Sequence, residues 1–159
     1  THRMLMEHTL PYKCPGAVSG EYTDTDMCAG DTIFGEHEAL IARVPQLLDS
    51  TQQAISEGRV HPMVLAARFH GFFEYLHPFR DGNGRIGRLF SNFILHKAGH
   101  PIVIIRQENK GEYIHALRCI RTERTDEHLI AFFFRMAIER MQREMEEKKS
   151  GTKLMSFLF

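Results

Sequence analysis

The sequence predicts a mainly α-helical protein, a compact bundle of helices with one short β-hairpin near its beginning. Apolar residues recur at helical spacing over most of the chain, and glycine and proline stand at the ends of these segments. Only one short stretch alternates β-branched and aromatic residues with polar ones. Because 43% of the 159 residues are hydrophobic, the chain can form a continuous core.

The hairpin is expected at about residues 18–30, within a stretch rich in Gly, Pro, Asp and Thr. Turn-forming Gly20 and Gly30 bracket the segment 21–27, whose β-branched and aromatic residues alternate with polar ones. Alternation of this kind is typical of a short, partly exposed strand.

Two helices are predicted next. The first runs from Glu36 to about Ser56, where aliphatic residues recur near the helical period, with Pro45 as an interruption. The second starts at Pro62, because the first helical position needs no N–H donor. Since Pro78 disfavours helical geometry in the residue before it, this helix is expected to end near His77.

Three further helices complete the predicted bundle, at about residues 84–98, 112–120 and 126–148. The first of them is followed by a glycine and a proline, which are typical of a helix end. Its expected inward-facing residues are Ile86, Leu89, Phe90, Phe93 and Ile94. The main domain is expected to span residues 1–149, and the apolar tail at 150–159 is expected to pack on the chain or to contact a partner.

Composition excludes several classes of function. The 20 basic residues balance the 20 acidic ones, whereas a nucleic-acid or anionic-membrane binder would carry a basic excess. The longest apolar run, Leu129 to Phe134, is far shorter than the roughly 20 residues of a membrane span. Three cysteines without a C-x-x-C spacing favour a reducing compartment, so a cytoplasmic location is expected.

The stretch between the second and third helices carries the chemistry. Gly82, Asn83 and Gly84 stand where a loop leads into a helix, whose first N–H groups have no partner within the helix. Glycine lets the backbone approach a ligand closely and build a nest of N–H donors. Arg85 and Arg88 are three residues apart and can share one side of the first turn. Together these groups predict a site for a di- or triphosphate.

Asp81 and His77 add the remaining chemistry. The carboxylate of Asp81 would repel phosphate by itself. A Mg²⁺ ion bound between the carboxylate and the phosphate attracts both groups. His77 is the one group of the loop that exchanges a proton near neutral pH, and it could deprotonate an incoming hydroxyl. The twelve residues 77–88 therefore contain the components of metal-assisted phosphoryl or nucleotidyl transfer.

These residues also resemble a known family. The order His77-Pro-Phe-Arg-Asp81-Gly-Asn-Gly-Arg85-Ile-Gly-Arg88 matches every specified position of the Fic-domain signature H-x-F-x-(D/E)-G-N-G-R-x-x-R. The resemblance extends over roughly residues 1–140. It implies a small helical Fic fold that transfers AMP from ATP, with Mg²⁺, to the hydroxyl of a Ser, Thr or Tyr in a target protein, releasing pyrophosphate.

The resemblance also implies roles for individual residues. His77 would be the general base, and Asp81 would bind Mg²⁺ between the α- and β-phosphates. The implied phosphate-binding residues are Gly82, Asn83, Gly84, Arg85 and Arg88. A β-hairpin flap would dock the target by strand addition through Glu21, Tyr22 and Thr23. Tyr113 and Arg121 would lie on the adenine side.

Many family members carry an inhibitory helix, (S/T)-x-x-x-E-(G/N), whose Glu pairs with the second arginine of the signature. The sequence does not contain this pattern, because Glu57-Gly58 has Gln53 at the first position. Arg88 is therefore expected to lack this inhibitory partner. Inhibition would come from a separate antitoxin, come from a segment outside this chain, or be absent.

The sequence also suggests four alternative functions. The same loop could remove AMP from modified protein, or it could transfer a phosphoryl group, although relatives that do the latter tend to have Lys at the position of Gly84. The chain could also be a catalytically silent nucleotide-binding module, which the intact His77 and Asp81 argue against. A zinc hydrolase built on His70 and His77 is disfavoured, because the sequence lacks H-E-x-x-H and aromatic neighbours give His70 a core role.

Overall fold

The computed structural model is a helical bundle built around one central helix. It describes the backbone of residues 1–29, 32–34 and 36–158, and the side chains of these ranges except at 29, 32, 33 and 150–158. Within these ranges the helices are α1 (His2–Met6), α2 (Leu10–Lys13), α3 (Leu40–Glu57), α4 (Pro62–Leu76), α5 (Asn83–Lys97), α6 (Lys110–Thr122) and α7 (Glu127–Leu158). The strands are β1 (Cys28–Ala29) and β2 (Thr32–Ile33).

The central helix is α4, which contacts α3, α5, α6 and α7. Two glycines permit the closest of these approaches. A Cβ at Gly71 of α4 would lie 2.4 Å from Cδ1 of Ile120, and one at Gly87 of α5 would lie 2.7 Å from Nδ1 of His70. Because real Cβ contacts are not this short, a side chain at either position would force the facing side chain or its helix to shift.

The main core lies between α4, α5, α6 and α7 and is rich in aromatic rings. Its largest fully buried members include Phe69, Ile86, Leu95, Phe132 and Phe133. The irregular segment after α5 joins the core through Val103, whose backbone N–H and C=O both pair with the side-chain amide of Asn92 at 2.8 and 3.0 Å. A polar clamp thus replaces the hydrogen bonds that regular structure would supply.

The five predicted helices are present as α3 to α7, with boundaries shifted by one or two residues for α4, α5 and α6. Helix α3 begins at Leu40 rather than at Glu36, because residues 37–39 form a 3-10 turn, and α1 and α2 were not predicted. In α3 the expected interruption at Pro45 is wrong, since the helix continues through it. Proline removes the hydrogen bond to the carbonyl four residues earlier, which is that of Ile41. Ile41 is 77% exposed, so water can satisfy this carbonyl.

The sequence predicts more inward-facing residues on α5 than the structure buries. Ile86 and Ile94 are buried, but Leu89 and Phe93 are 52% and 54% exposed. The apolar arc of the helix is wider than its contact with α4. The expectation that Leu89 and Phe93 enter the core is therefore wrong.

A flap over residues 18–30 is not shown. Residues 20–27 contain no strand, and the two-residue strands lie later, pairing Cys28 with Ile33 and Ala29 with Thr32 in antiparallel register. Long-range contacts hold the earlier segment instead: the Gly20 N–H donates to Nδ1 of His2 at 2.9 Å, and the Thr23 N–H donates to the Pro78 carbonyl at 2.8 Å. Gly30 and Asp31, between the strands, lie outside the described residues.

The last helix is longer than expected. It was predicted to end at about residue 148, but α7 continues to Leu158. Ion pairs one turn apart support its exposed distal part, such as Arg140 with Glu144 at 2.7 Å. The division into a domain at 1–149 and a tail at 150–159 stays a prediction. Among the described residues, no helix combines the length and the hydrophobicity that crossing a bilayer requires.

Replacing Gly71 with Ala tests the helix packing. The new methyl group would meet Ile120 and Leu129 at 2.4 and 3.0 Å, so we expect the free energy of unfolding to fall by about 1–3 kcal/mol. Gly111→Ala is the matched control in a helix, since a Cβ there meets no atom within 4 Å and should stabilise the protein slightly. Urea denaturation measures both. Equal effects of the two changes would contradict the packing argument.

Candidate active site

His77 lies at the junction between α4 and the loop that follows. It has the left-handed values φ 47° and ψ 56°, and its N–H donates to the Phe73 carbonyl at 3.0 Å. Pro78 keeps His77 out of helical geometry, as predicted, and the left-handed turn ends α4 there. The imidazole stacks on the ring of Phe34, just after β2, with ring centroids 3.8 Å apart.

This environment keeps His77 neutral. Its side chain is 20% exposed, and burial lowers its pKa to about 4, with the charge of Arg121 acting in the same direction. Nδ1 is buried and has no hydrogen-bond partner among the described residues. The nearest carboxylate oxygen is Oε2 of Glu74, at 3.7 Å. At neutral pH the ring is therefore uncharged, and one of its nitrogens carries no proton.

Glu74 is the most informative residue that the sequence reasoning missed. Its side chain is 12% exposed, and burial raises its pKa to about 7, although Arg88 and Arg121 oppose the rise. Oε1 has no hydrogen-bond partner among the described residues. The spacing of three residues from His77 could have suggested a contact on one helix face.

The loop between α4 and α5 is locked by one side chain. Asn83, 2% exposed, accepts from the Phe79 N–H at 2.9 Å and donates to the Phe79 carbonyl at 2.6 Å. Gly82 caps the helix with φ 88°, and a Cβ there would lie 2.9 Å from Sδ of Met6. The Asn83 side chain thus shapes the loop, and only its backbone N–H remains for a ligand.

The start of α5 is the predicted anion site. The N–H groups of Asn83, Gly84 and Arg85 have no partner within the helix, and the helix dipole is positive there. A Cβ at Gly84 would lie 3.0 Å from Nη1 of Arg88 and 3.1 Å from Oε1 of Glu74. The absence of a side chain at Gly84 therefore leaves room for both groups beside the helix start.

Asp81 is an ionised carboxylate beside this helix start. Burial alone would raise its pKa, but the Gly82 N–H at 2.6 Å and the cations of Lys13 and Arg85, each at 3.2 Å, outweigh burial and lower the pKa. One partly exposed carboxylate next to an anion site suits Mg²⁺, which takes one or two carboxylates together with phosphate oxygens and water. The donor set therefore fits the metal that the family implies.

The first residues of the chain support the loop. This support was not predicted from the sequence. Nε2 of His2 lies 2.9 Å from the Asp81 carbonyl oxygen, while Nδ1 accepts from the Gly20 N–H at 2.9 Å. The His2 ring stacks on Phe79 with centroids 3.7 Å apart. Burial lowers the pKa of His2, so it acts as a neutral bridge between α1, the segment before β1 and the loop.

Arg88 lies in a protected position behind the anion site. Within the part of the chain that the structure describes, no carboxylate comes within ion-pairing distance of it. Tyr113, 8% exposed, is hydrogen-bonded through its hydroxyl to Nε2 of His70 at 2.7 Å. His70 is completely buried, which confirms its expected core role. Tyr113 therefore lies beneath α5 rather than on an open surface.

Arg121 braces the end of α4. Its Nη2 donates to the carbonyls of Glu74 and Tyr75 at 2.8 and 2.9 Å, which are groups that the helix end leaves unpaired. The guanidinium also lies over the rings of Phe34 and Tyr75, at 4.4 and 4.7 Å. One side chain of α6 thus joins α4 to the residue that stacks on His77.

The segment 21–23 lies on another side of the loop. Tyr22 is 37% exposed and its ring is 5.7 Å from that of Phe79, whereas Thr23 is 6% exposed and bonded through its N–H to the loop. A groove of about 800 Å³ follows this segment and is also lined by Phe79 and Ile41. The Thr23 N–H is therefore already hydrogen-bonded to the loop. The residue that stacks on His77 is instead Phe34, which follows β2.

Comparison with known proteins agrees with the motif. The model of the Fic/DOC family matches residues 1–95, more than half of the chain. The chain belongs to the Fic/DOC family. This Fic domain is 33% identical over 120 residues to the protein adenylyltransferase Fic of Drosophila grimshawi, covering 74% of this chain and 23% of that protein. It is 35% identical over 112 residues to the Nematostella vectensis protein of the same name, covering 70% and 25%. The chain thus spans about a quarter of the curated relatives it matches.

Solved structures share the fold of this Fic domain. A Fic-domain-containing signalling protein from Bacteroides thetaiotaomicron superposes with a TM-score of 0.72 at 26% identity, covering 79% of this chain and 53% of that one. A variant of Fic-1 from C. elegans gives 0.79 at 25% identity, covering 94% and 42%. IbpAFic2, solved in complex with adenylylated Cdc42, gives 0.64 at 23% identity, covering 82% and 43%, which shows the fold alone.

The protonation states in this Fic domain are open to direct measurement. In an NMR titration, we expect the His77 ring to stay neutral from pH 8 down to about 5, because its pKa is near 4. The Glu74 carboxyl carbon should titrate near pH 7. Glu74→Gln should abolish this second transition. A His77 ring that titrates near its ordinary value of about 6.5 would contradict the burial argument.

Proposed function

We propose that this chain transfers AMP from ATP to a Ser, Thr or Tyr hydroxyl of a target protein and releases pyrophosphate. The observation that carries the proposal is a neutral His77 beside a helix start that exposes N–H donors, an ionised Asp81 and two arginines. The names of the curated relatives support the reaction.

The triphosphate would bind at the start of α5. Its oxygens would accept from the N–H groups of Asn83 and Gly84, and they would pair with the guanidiniums of Arg85 and Arg88. Asp81 would hold the metal, and bound Mg²⁺ supplies positive charge that neutralises the phosphate oxygens. Arg85 is paired with Asp81 at 3.2 Å, so ATP binding would exchange this contact for one to phosphate.

His77 would act through Nε2. The target hydroxyl oxygen attacks the α-phosphorus, its proton passes to Nε2, and the bond from the α-phosphorus to the bridging oxygen breaks, so that pyrophosphate leaves with the bonding electrons. Nδ1 must then carry a proton, and this proton faces Glu74. The carboxylate of Glu74 would stabilise the imidazolium as it forms, as a carboxylate does for histidine in hydrolase triads.

The hairpin is our candidate for target docking. Phe34, at its end, stacks on His77 at 3.8 Å, so a target segment that pairs with the hairpin would bring its hydroxyl close to the base. Short strands leave backbone N–H and C=O groups for an added strand. Glu21 and Tyr22 would line the neighbouring groove and contribute side-chain contacts.

The reaction would take place in the cytoplasm, and a separate protein would regulate it. All three cysteines are unpaired, which suits a reducing compartment. Arg88 forms no close ion pair among the described residues, although its charge acts on Glu74. An antitoxin that supplies a Glu could therefore occupy Arg88 and compete with the triphosphate.

The function is tested with ATP labelled on the α-phosphate, Mg²⁺ and a cell lysate. Wild-type chain should transfer label to protein, and His77→Ala should lower the rate by roughly 10²- to 10⁴-fold, because it removes the general base. His77→Ala should still bind ATP, since the phosphate site lies on α5. Arg59→Ala, an exposed position away from the loop, is the control and should retain full transfer.

Each alternative gives a different labelling result. Transfer from γ-labelled ATP only would indicate phosphotransfer and overturn the proposal. ATP binding without transfer from either label would indicate a silent module. Release of AMP from previously labelled protein, without transfer, would indicate a demodifying enzyme.

The role of Glu74 is tested by the pH dependence of transfer. Since the pKa of Glu74 is about 7, the carboxylate forms as the pH rises through 7, and the wild-type rate should rise with it. Glu74→Gln should remove this rise and lower the rate at pH 8 roughly tenfold, which is about 1.4 kcal/mol of barrier. A variant that keeps the wild-type pH profile would show that Glu74 is not coupled to His77.

A further inference from the structure

We propose that the junction of α6 and α7 is a zinc site formed by Cys119, Glu123, His128 and His115. The Cys119 Sγ, a carboxylate oxygen of Glu123 and a ring nitrogen of His128 all lie within 4.8 Å of one another. Nε2 of His115 lies 3.6 Å from the same Sγ. Thiolate, imidazole and carboxylate are the protein ligands that Zn²⁺ takes, whereas Mg²⁺ prefers oxygen.

The fold brings these four residues together. His115, Cys119 and Glu123 follow one another at intervals of four residues, so they form a stripe along one face of α6 and its end. Arg124 then takes φ 57°, a left-handed value that lets the chain reverse within a short turn. His128, the second residue of α7, is thereby returned to the stripe, and its ring lies 5.7 Å from that of His115 at 61°.

The spacing suits a four-coordinate metal. With bonds of about 2.3 Å to sulfur and about 2.0 Å to nitrogen, tetrahedral angles separate the two ligand atoms by roughly 3.5 Å. The distance from Cys119 Sγ to His115 Nε2 is 3.6 Å before any metal binds. Only small side-chain rotations are needed for Glu123 and His128, whose ligand atoms are already within 4.8 Å.

The surroundings suit a structural site. Cys119 is 1% exposed, while the other three residues are exposed, so the thiol forms the floor of a site that opens to solvent. A cysteine thiol is mostly protonated at neutral pH and must lose its proton to bind a metal. On binding, the S–H bond breaks, the proton goes to solvent, a sulfur–zinc bond forms, and no electron is transferred.

The site would stabilise the helices that hold the active site. Tyr113 and Arg121 lie on other faces of α6, where they contact His70 and the end of α4. A metal that joins the end of α6 to the start of α7 would fix the turn between them without touching nucleotide. The stripe therefore has a role that is separate from the proposed transfer reaction.

The full chain, freed of metal with a chelator, is the material for the test. We expect it to bind one Zn²⁺, and its melting temperature should rise by roughly 5 °C or more at a hundredfold excess of Zn²⁺ over the dissociation constant. Mg²⁺ should produce no such rise. Co²⁺ should give the intense visible bands of a tetrahedral site and a thiolate charge-transfer band in the near ultraviolet.

Variants decide whether these residues are the ligands. Cys119→Ser should lose the thiolate band, and His128→Gln should weaken Co²⁺ binding at least tenfold. Cys28→Ser, which removes an exposed thiol, is the control and should bind like the wild type. His128 is exposed, so we expect His128→Gln to fold. This variant therefore still tests the site if Cys119→Ser fails to fold.

Two results would overturn the proposal. Equal Co²⁺ spectra in wild type and His128→Gln would show that the metal binds elsewhere. A wild-type melting temperature that does not respond to Zn²⁺ would reduce the cluster to a thiol–imidazole hydrogen bond between Cys119 and His115. Both results are independent of AMP transfer, so they leave the proposed function untouched.

Discussion

The clamp between Asn83 and Phe79 is the interaction on which the site depends. Its two hydrogen bonds, at 2.9 and 2.6 Å, fix a loop that must end α4 at His77 and begin α5 six residues later. Both bonds are buried, so loss of the amide would leave the Phe79 N–H and C=O unpaired at a cost of about 1–3 kcal/mol each. His77 and the start of α5 keep their relative position because these two bonds hold the loop between them.

The site retains buried groups whose hydrogen-bonding needs are not met. Oε1 of Glu74 and Nδ1 of His77 have no hydrogen-bond partner among the described residues, although each is buried. Such groups destabilise a fold, and they are tolerated where chemistry uses them. Their pKa shifts run in opposite directions, so at neutral pH the imidazole is uncharged and the carboxyl is close to half ionised. In the proposed reaction, this pair would share the proton that the target hydroxyl releases.

Helix α6 connects this chemistry to the rest of the bundle through separate faces. Arg121 holds the carbonyl end of α4 and the ring of Phe34, and Tyr113 supports His70 beneath α5. The stripe that begins at His115 faces α7 instead. Because α4 is packed so closely that Gly71 has no room for a Cβ, a shift of α6 would be transmitted to α4 and hence to His77.

The sequence by itself determined the presence of α3 to α7, the end of α4 at His77 and the family, because these depend on local spacing, on proline geometry and on a twelve-residue motif. Only the tertiary structure decided which apolar residues are buried, since Leu89 and Phe93 fit the helical period and yet face outward. The tertiary structure likewise located the paired strands at 28–29 and 32–33, because long-range bonds to His2 and Pro78 hold the preceding segment in an irregular path. The tertiary structure also decided the environment of Glu74. The burial that raises its pKa comes from helices distant in the sequence, which no local pattern encodes.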